Sequence, residues 1–105
     1  MQPEAVVARL EDPDSHVRRA ALETLGKLDP ATLAQHAEAV VTRLEDSVLN
    51  VRFCSLTALA KLEPATLAQY AEAVVARLED DFENVRYWAL TALAKLEPAT
   101  LAQYA

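Results

Sequence analysis

The sequence contains very little glycine and cysteine and no long apolar segment, and each shortage excludes a class of protein. Gly26 is the only glycine, which excludes a glycine-rich phosphate-binding loop. Cys54 is the only cysteine, so no intramolecular disulfide can form. This is compatible with a reducing compartment, and we expect a cytoplasmic location if the protein is natural. No apolar run approaches the ~18 residues that a membrane-spanning helix needs.

Basic residues are scarce relative to acidic ones, with 10 against 16, and the net charge is −6. Nucleic acids and anionic membranes both attract concentrated basic surfaces, so we expect neither as a partner. The histidines, His16 and His36, form no pair at metal-ligand spacing with each other or with Cys54, so neither a metal nor another cofactor is expected. No serine has a recognisable His–acid partner, which predicts no catalytic residues and a protein that is not an enzyme. Catalysis is kept only as an alternative.

A 34-residue repeat organises the whole chain. The segment Val6 to Asp12 returns as Val40 to Asp46 and again as Val74 to Asp80. Between residues 27–60 and 61–94, 25 of 34 positions are identical. Such close similarity indicates recent duplication or deliberate construction. Periods of this length are typical of stacked helical units, because one unit cannot bury its apolar side alone.

Each repeat is predicted to form two helices. The pair Asp29-Pro30 is typical of a helix start, because the carboxylate can cap the helix and proline suits its first position. Apolar residues at helical spacing then predict a first helix that ends near Glu45. Asp46 and Asp80 are predicted to cap the second helices of the second and third repeats. Asp12, which is followed by proline, is predicted to cap the second helix of the first repeat. The sequence therefore predicts an all-α fold, an α-solenoid of three 34-residue helical-hairpin repeats, within a single domain 1–105 that has repeats at about 4–28, 29–62 and 63–96 and a half helix at 97–105.

The second helix of each repeat carries an aspartate, a Val-Arg pair and a downstream leucine at fixed spacing. This pattern resembles HEAT-like repeats along the whole chain. The resemblance implies a protein-binding scaffold in which Asp and Arg form a hydrogen-bonded ladder along the stack. Its members here would be Asp12, Asp46 and Asp80 with Arg18, Arg52 and Arg86. Tetratricopeptide repeats share the period, but their pattern would place Arg77 and Arg86 at packing positions.

The copies differ mainly just after the Val-Arg pair. A helical wheel places these variable residues on the side of the second helix away from the hairpin core. In HEAT-like stacks the second helices line the concave face, so a protein partner is expected to bind there. The predicted partner-binding residues are Arg19, Phe53, Cys54, Thr57, Tyr87, Trp88 and Thr91. Two alternatives remain, in which the same surface joins copies of the chain or packs against the neighbouring repeat.

The repeat is also permuted in register, because the sequence starts and ends inside a first helix. Residues 4–105 correspond to three whole periods, with half of a first helix at each end. Half helices of this length are unstable alone, so we expect them to meet between molecules. The product would be a head-to-tail filament, a ring or a swapped dimer, that is, a self-assembling structural unit. The alternative is a fragment of a longer array.

Overall fold

The computed structural model describes residues 2–104, and within them the backbone forms only helices, turns and bends. The predicted all-α fold is thus confirmed. Met1 of the predicted domain and Ala105 of the predicted half helix lie outside the described residues. The α-helices are α1 (Pro3–Ala8), α2 (Ser15–Leu25), α3 (Pro30–Ala34), α4 (Ala37–Thr42), α5 (Leu49–Leu59), α6 (Pro64–Ala68), α7 (Ala71–Ala76), α8 (Glu83–Leu93) and α9 (Pro98–Leu101). Three-residue 3₁₀ turns follow α1, α4, α7 and α9, at Arg9–Glu11, Arg43–Glu45, Arg77–Glu79 and Ala102–Tyr104.

The first helix of each repeat is interrupted, where the sequence predicts one continuous helix. Between α3 and α4, the amides of Gln35 and His36 donate to carbonyls three residues back, at Thr32 and Leu33. Hydrogen bonds to the third preceding residue, in place of the fourth, tighten the backbone locally and end α3. Leu33 and Ala37 lie on either side of the interruption and both are buried, so the apolar stripe of the first helix is preserved.

The second helices begin two residues later than the capping prediction placed them. Asp46 does not cap α5. Its Oδ1 accepts a hydrogen bond from the amide of Val48, at 2.9 Å, in the turn before the helix. Asp80 forms the same turn with Phe82, and Asp12 with Asp14, which itself caps α2. This turn is a local alternative to capping that aspartate side chains favour. It leaves the second carboxylate oxygen available for other partners.

The second helices α2, α5 and α8 pack side by side, and the first helices pack against them on one side. Leucine and valine from both layers form one continuous core that runs through all three repeats. The predicted solenoid of stacked helical hairpins is therefore confirmed. Because every repeat contacts only its neighbours, the same position can be buried in one repeat and exposed in another.

Candidate functional site

We define the second-helix face as the outward side of α2, α5 and α8, carrying Arg19, Phe53, Thr57, Tyr87, Trp88 and Thr91. Tyr87 is 64 % exposed and Arg19 is also exposed, whereas the other four are half-buried. Thr91 donates its hydroxyl to the backbone carbonyl of Tyr87 at 3.0 Å, so that hydroxyl is already satisfied within α8. The face thus brings together six of the seven residues that the sequence comparison singled out.

Three aromatic rings make a connected cluster at the α8 end of this face. The ring of Trp88 lies 6.1 Å from that of Phe53 and 6.0 Å from that of Tyr87, and both contacts are edge-to-face. Such contacts stabilise an aromatic pair by about 1 kcal/mol beyond the area they bury. The Phe53–Trp88 contact crosses between the second and third repeats. The packing between repeats therefore holds Trp88 in place beside the exposed Tyr87.

The opposite end of the second-helix face, on α2, carries charged rather than aromatic side chains. Arg19 and Glu23 form an exposed ion pair on α2 with 3.5 Å between Nε and Oε2. An exposed pair of this kind contributes little to stability. The second-helix face therefore changes from charged at the first repeat to aromatic at the third.

Cys54 is placed differently from the other predicted binding residues. It is only 7 % exposed, against the preceding repeat, which agrees with the alternative that this position packs between repeats. Burial raises the pKa of its thiol, and the nearby Glu23 carboxylate raises it further. A buried neutral thiol cannot contact a partner at the surface and reacts slowly.

The aspartate–arginine ladder runs along the stack, and each rung joins an arginine to the aspartate of the next repeat rather than to the aspartate of its own repeat. Arg18 donates through Nε and Nη2 to both carboxylate oxygens of Asp46, at 2.9 and 3.1 Å. Arg52 does the same to Asp80, at 2.9 and 3.2 Å. Within a repeat, each arginine instead donates Nη1 to a backbone carbonyl, as Arg18 does to Asp12 at 2.8 Å. Arg86 keeps that bond, to the carbonyl of Asp80 at 2.7 Å.

The two aspartates that pair with arginines, Asp46 and Asp80, are held in the ionised form. Burial by itself raises the pKa of Asp46, but the hydrogen bonds from Arg18 and from the Val48 amide outweigh it and make the pKa lower than usual. Asp80 has a lowered pKa for the same reasons, through Arg52 and the Phe82 amide. A carboxylate whose pKa is lower in the folded than in the unfolded chain stabilises the folded state, and here that state is the stack of repeats.

A row of lysines forms a second link between repeats that sequence reasoning missed. Lys61 donates its Nζ to the carbonyl of Gly26 at 2.6 Å, and Lys95 donates to the carbonyl of Ala60. Each acceptor lies at the end of the preceding second helix, where carbonyls lack helical partners and a cation is favourable. The signal in the sequence was the recurrence of lysine at Lys27, Lys61 and Lys95.

Across residues 2–104, no group of three His, Cys, Asp or Glu side chains has an arrangement that could hold a metal ion. Over the same range, none of the helices has both the length and the apolar character needed to cross a membrane.

Comparison with known proteins identifies one family. The family model for HEAT repeats matches residues 3–94, which takes in all three second helices. A comparison with curated proteins found no match.

Proposed function

This chain belongs to the HEAT-repeat family, and we propose that it is a non-catalytic scaffold that binds a protein partner through its second-helix face. HEAT repeats generally mediate interactions between proteins. The proposal adds which face is used and which residues contact the partner.

The observation that carries the proposal is the exposure of Tyr87 beside a ring cluster that is already ordered. A contiguous apolar patch at a protein surface usually marks a site of contact with another molecule. Tyrosine and tryptophan are also the residues that contribute most to binding energy at interfaces. Because Trp88 is already packed against Phe53, little conformational entropy is lost when a partner binds there.

The gradient of charge along the face suggests the chemistry of the partner. The cluster of Phe53, Tyr87 and Trp88 suits an apolar or aromatic side chain from the partner. The Arg19–Glu23 end suits polar or charged groups. A segment with an apolar anchor at one end and a polar remainder therefore matches the face in one orientation.

Trp88 is the only tryptophan in the chain, so its fluorescence reports on binding at this face. Peptides selected by display against the wild-type chain should shift Trp88 emission and bind Tyr87→Ala at least about tenfold more weakly. Glu38→Ala is the matched control, because Glu38 is exposed on α4 rather than on a second helix. Selected peptides that bind Tyr87→Ala as tightly as the wild type would refute the proposed site.

A second candidate function is self-assembly, with copies of the chain joined head to tail, as a ring or as a swapped dimer through the terminal half helices. The observation that favours it is the exposure of Leu90, which is 59 % although its equivalent in the preceding repeat, Leu56, is fully buried. A second copy would cover this leucine.

The mass of the chain across a concentration series separates the two functions. Tyr87→Ala combined with Trp88→Ala should abolish peptide binding at unchanged mass if the face serves a different protein. A change of mass in the same variant would show that the face joins copies. A wild-type chain that stays single at all concentrations would refute self-assembly.

A further inference from the structure

We infer that two copies of this chain stack head to tail, and that their joint reproduces the interface between its own repeats. The inference rests on the self-association proposed above and specifies its geometry. The C-terminal face of the third repeat would take the N-terminal face of the first repeat of a second copy.

The C-terminal face of α8 presents side chains that are covered elsewhere in the stack. Leu22 and Leu56 occupy the same position in the first two second helices, and both are 0 % exposed beneath the following repeat. Leu90 occupies that position in α8 and is 59 % exposed. It borders an open groove of about 300 Å³, lined mainly by apolar side chains that include Leu78 and Leu101. Because the three leucines occupy the same position in their repeats, the greater exposure of Leu90 comes from the lack of a following repeat to cover it.

The N-terminal face of α2 shows the converse pattern. Ala58 and Ala92 are 2 % and 0 % exposed where they meet the preceding repeat, whereas Thr24 at the same position is exposed. A mainly apolar groove of about 290 Å³ lies beside Thr24, between α1 and α2. Small residues at this position let the leucine of the preceding repeat approach, and Thr24 is small enough to do the same.

Charge at the two faces completes the match. Arg86 holds the same bond to the backbone as its equivalents, but its Nε and Nη2 have no carboxylate partner within residues 2–104. Asp12 makes the usual turn, and its side chain is 24 % exposed, whereas the side chains of Asp46 and Asp80 are 4 % and 2 % exposed. Arg86 of one copy and Asp12 of the next are therefore the two halves of one further rung of the ladder.

The lysine row extends across the same joint. Lys61 and Lys95 each bond to a carbonyl at the end of the preceding second helix. Lys27 is the equivalent residue of the first repeat and is exposed, and Ala94 occupies the acceptor position at the end of α8. Stacking would place Lys27 of the second copy at the carbonyl of Ala94.

The two symmetrical arrangements leave these charges without ladder partners. A joint between two C-terminal faces offers Arg86 no ladder aspartate, and a joint between two N-terminal faces offers Asp12 no ladder arginine. A charge buried at an interface without its partner is strongly unfavourable. Only the head-to-tail arrangement continues the ladder, and it repeats at every added copy, producing a filament or a ring.

Sedimentation equilibrium of the wild type and two neighbouring variants tests the inference. Leu90→Glu and Tyr87→Glu introduce the same charge on α8 at similarly exposed positions, but Leu90 lies on the C-terminal face and Tyr87 on the second-helix face. We expect the wild type to associate with rising concentration, Leu90→Glu to remain a single chain, and Tyr87→Glu to behave as the wild type. Circular dichroism would verify that both variants are folded.

A mixing experiment then tests the direction of stacking. Thr24→Glu blocks the N-terminal face, and we expect it to remain single alone but to form a dimer with Leu90→Glu, because each variant keeps the face that the other lacks. Asp12→Asn keeps the turn before α2 and removes the charge, so it should weaken association at least about tenfold.

The outcomes separate this inference from the function on which it rests. A wild type that remains single at every concentration overturns both. Association that Tyr87→Glu abolishes and Leu90→Glu leaves intact keeps self-assembly but overturns the stacking geometry. Dimerisation of Leu90→Glu or Thr24→Glu alone also overturns the head-to-tail arrangement.

Discussion

The two arginines Arg52 and Arg86 occupy the same position in successive repeats, and their replacement by leucine should have very different effects. Arg52→Leu removes both bonds to the carboxylate of Asp80 and a third bond to the carbonyl of Asp46 at 2.8 Å. It also removes the guanidinium from the ring of Phe82, 5.8 Å away. Arg86→Leu removes only the bond to the carbonyl of Asp80 within the described residues.

The magnitudes follow from burial. Removing one partner of a buried ion pair costs about 3–5 kcal/mol, because the other charge stays buried. Asp80 keeps the Phe82 amide and Arg77 as partners, so about 3 kcal/mol is expected for Arg52→Leu. Losing one partly exposed bond from a charged donor costs about 1 kcal/mol, which is the value expected for Arg86→Leu. The difference of about 2 kcal/mol corresponds to roughly 10 °C in Tm for a domain of this size.

Urea unfolding followed by far-ultraviolet circular dichroism would measure both variants, at concentrations where the chain is single. The m-value should stay constant while the midpoint shifts. Adding Asp80→Asn to Arg52→Leu should recover part of the loss, because the buried side chain that has lost its main partner is then neutral. Equal losses for Arg52→Leu and Arg86→Leu would refute the conclusion that the ladder stabilises the stack between repeats rather than within them.

Three other changes test separate parts of the structure. Stability should fall in acid, because Asp46 and Asp80 have folded pKa values below the unfolded value of about 3.9. Their contribution to stability is complete above the unfolded value and is lost as the pH falls through the folded pKa. Urea midpoints measured across pH would show this loss, and midpoints that do not change with pH would contradict it. Cys54 should react with a thiol reagent far more slowly in the native chain than in urea, and equal rates would show that it is accessible. Gly26→Ala should raise the free energy of unfolding by about 0.5 kcal/mol, because the backbone at Gly26 is helical, as it is at the equivalent Ala60. An added Cβ would come no closer than 3.3 Å to its neighbours. A lower free energy of unfolding, measured in urea, would show that this contact is strained.

Much of the fold could be predicted because it depends on local pattern. The apolar spacing within each repeat determines which side of each helix is buried, and 34-residue recurrence requires the units to stack. Within the second helix of the middle repeat, Val51 and Leu59 are fully buried, and apolar residues at helical spacing are expected to share one buried side. The interruption near His36 was missed, because it results from hydrogen bonding that the composition of Ala-Gln-His does not signal.

The candidate site was only partly predictable. Comparison of the copies identified Tyr87 and Trp88, since variation on one side of a helix is visible in the sequence alone. It did not distinguish Cys54, which is buried against the first repeat, from Phe53 beside it on the same helix. Consecutive residues of a helix point about 100° apart, so the adjacent repeat covers Cys54 more fully than Phe53.

The sequence by itself determined the repeat, its two helices and the residue types that recur at each position. Tertiary structure alone decided which repeat each side chain contacts: that Arg18 reaches Asp46 rather than the carboxylate of Asp12, and that Leu56 is covered while Leu90 is exposed. The physical reason is that near-identical repeats have near-identical local preferences. Their differences in burial and pairing arise entirely from the neighbour on either side.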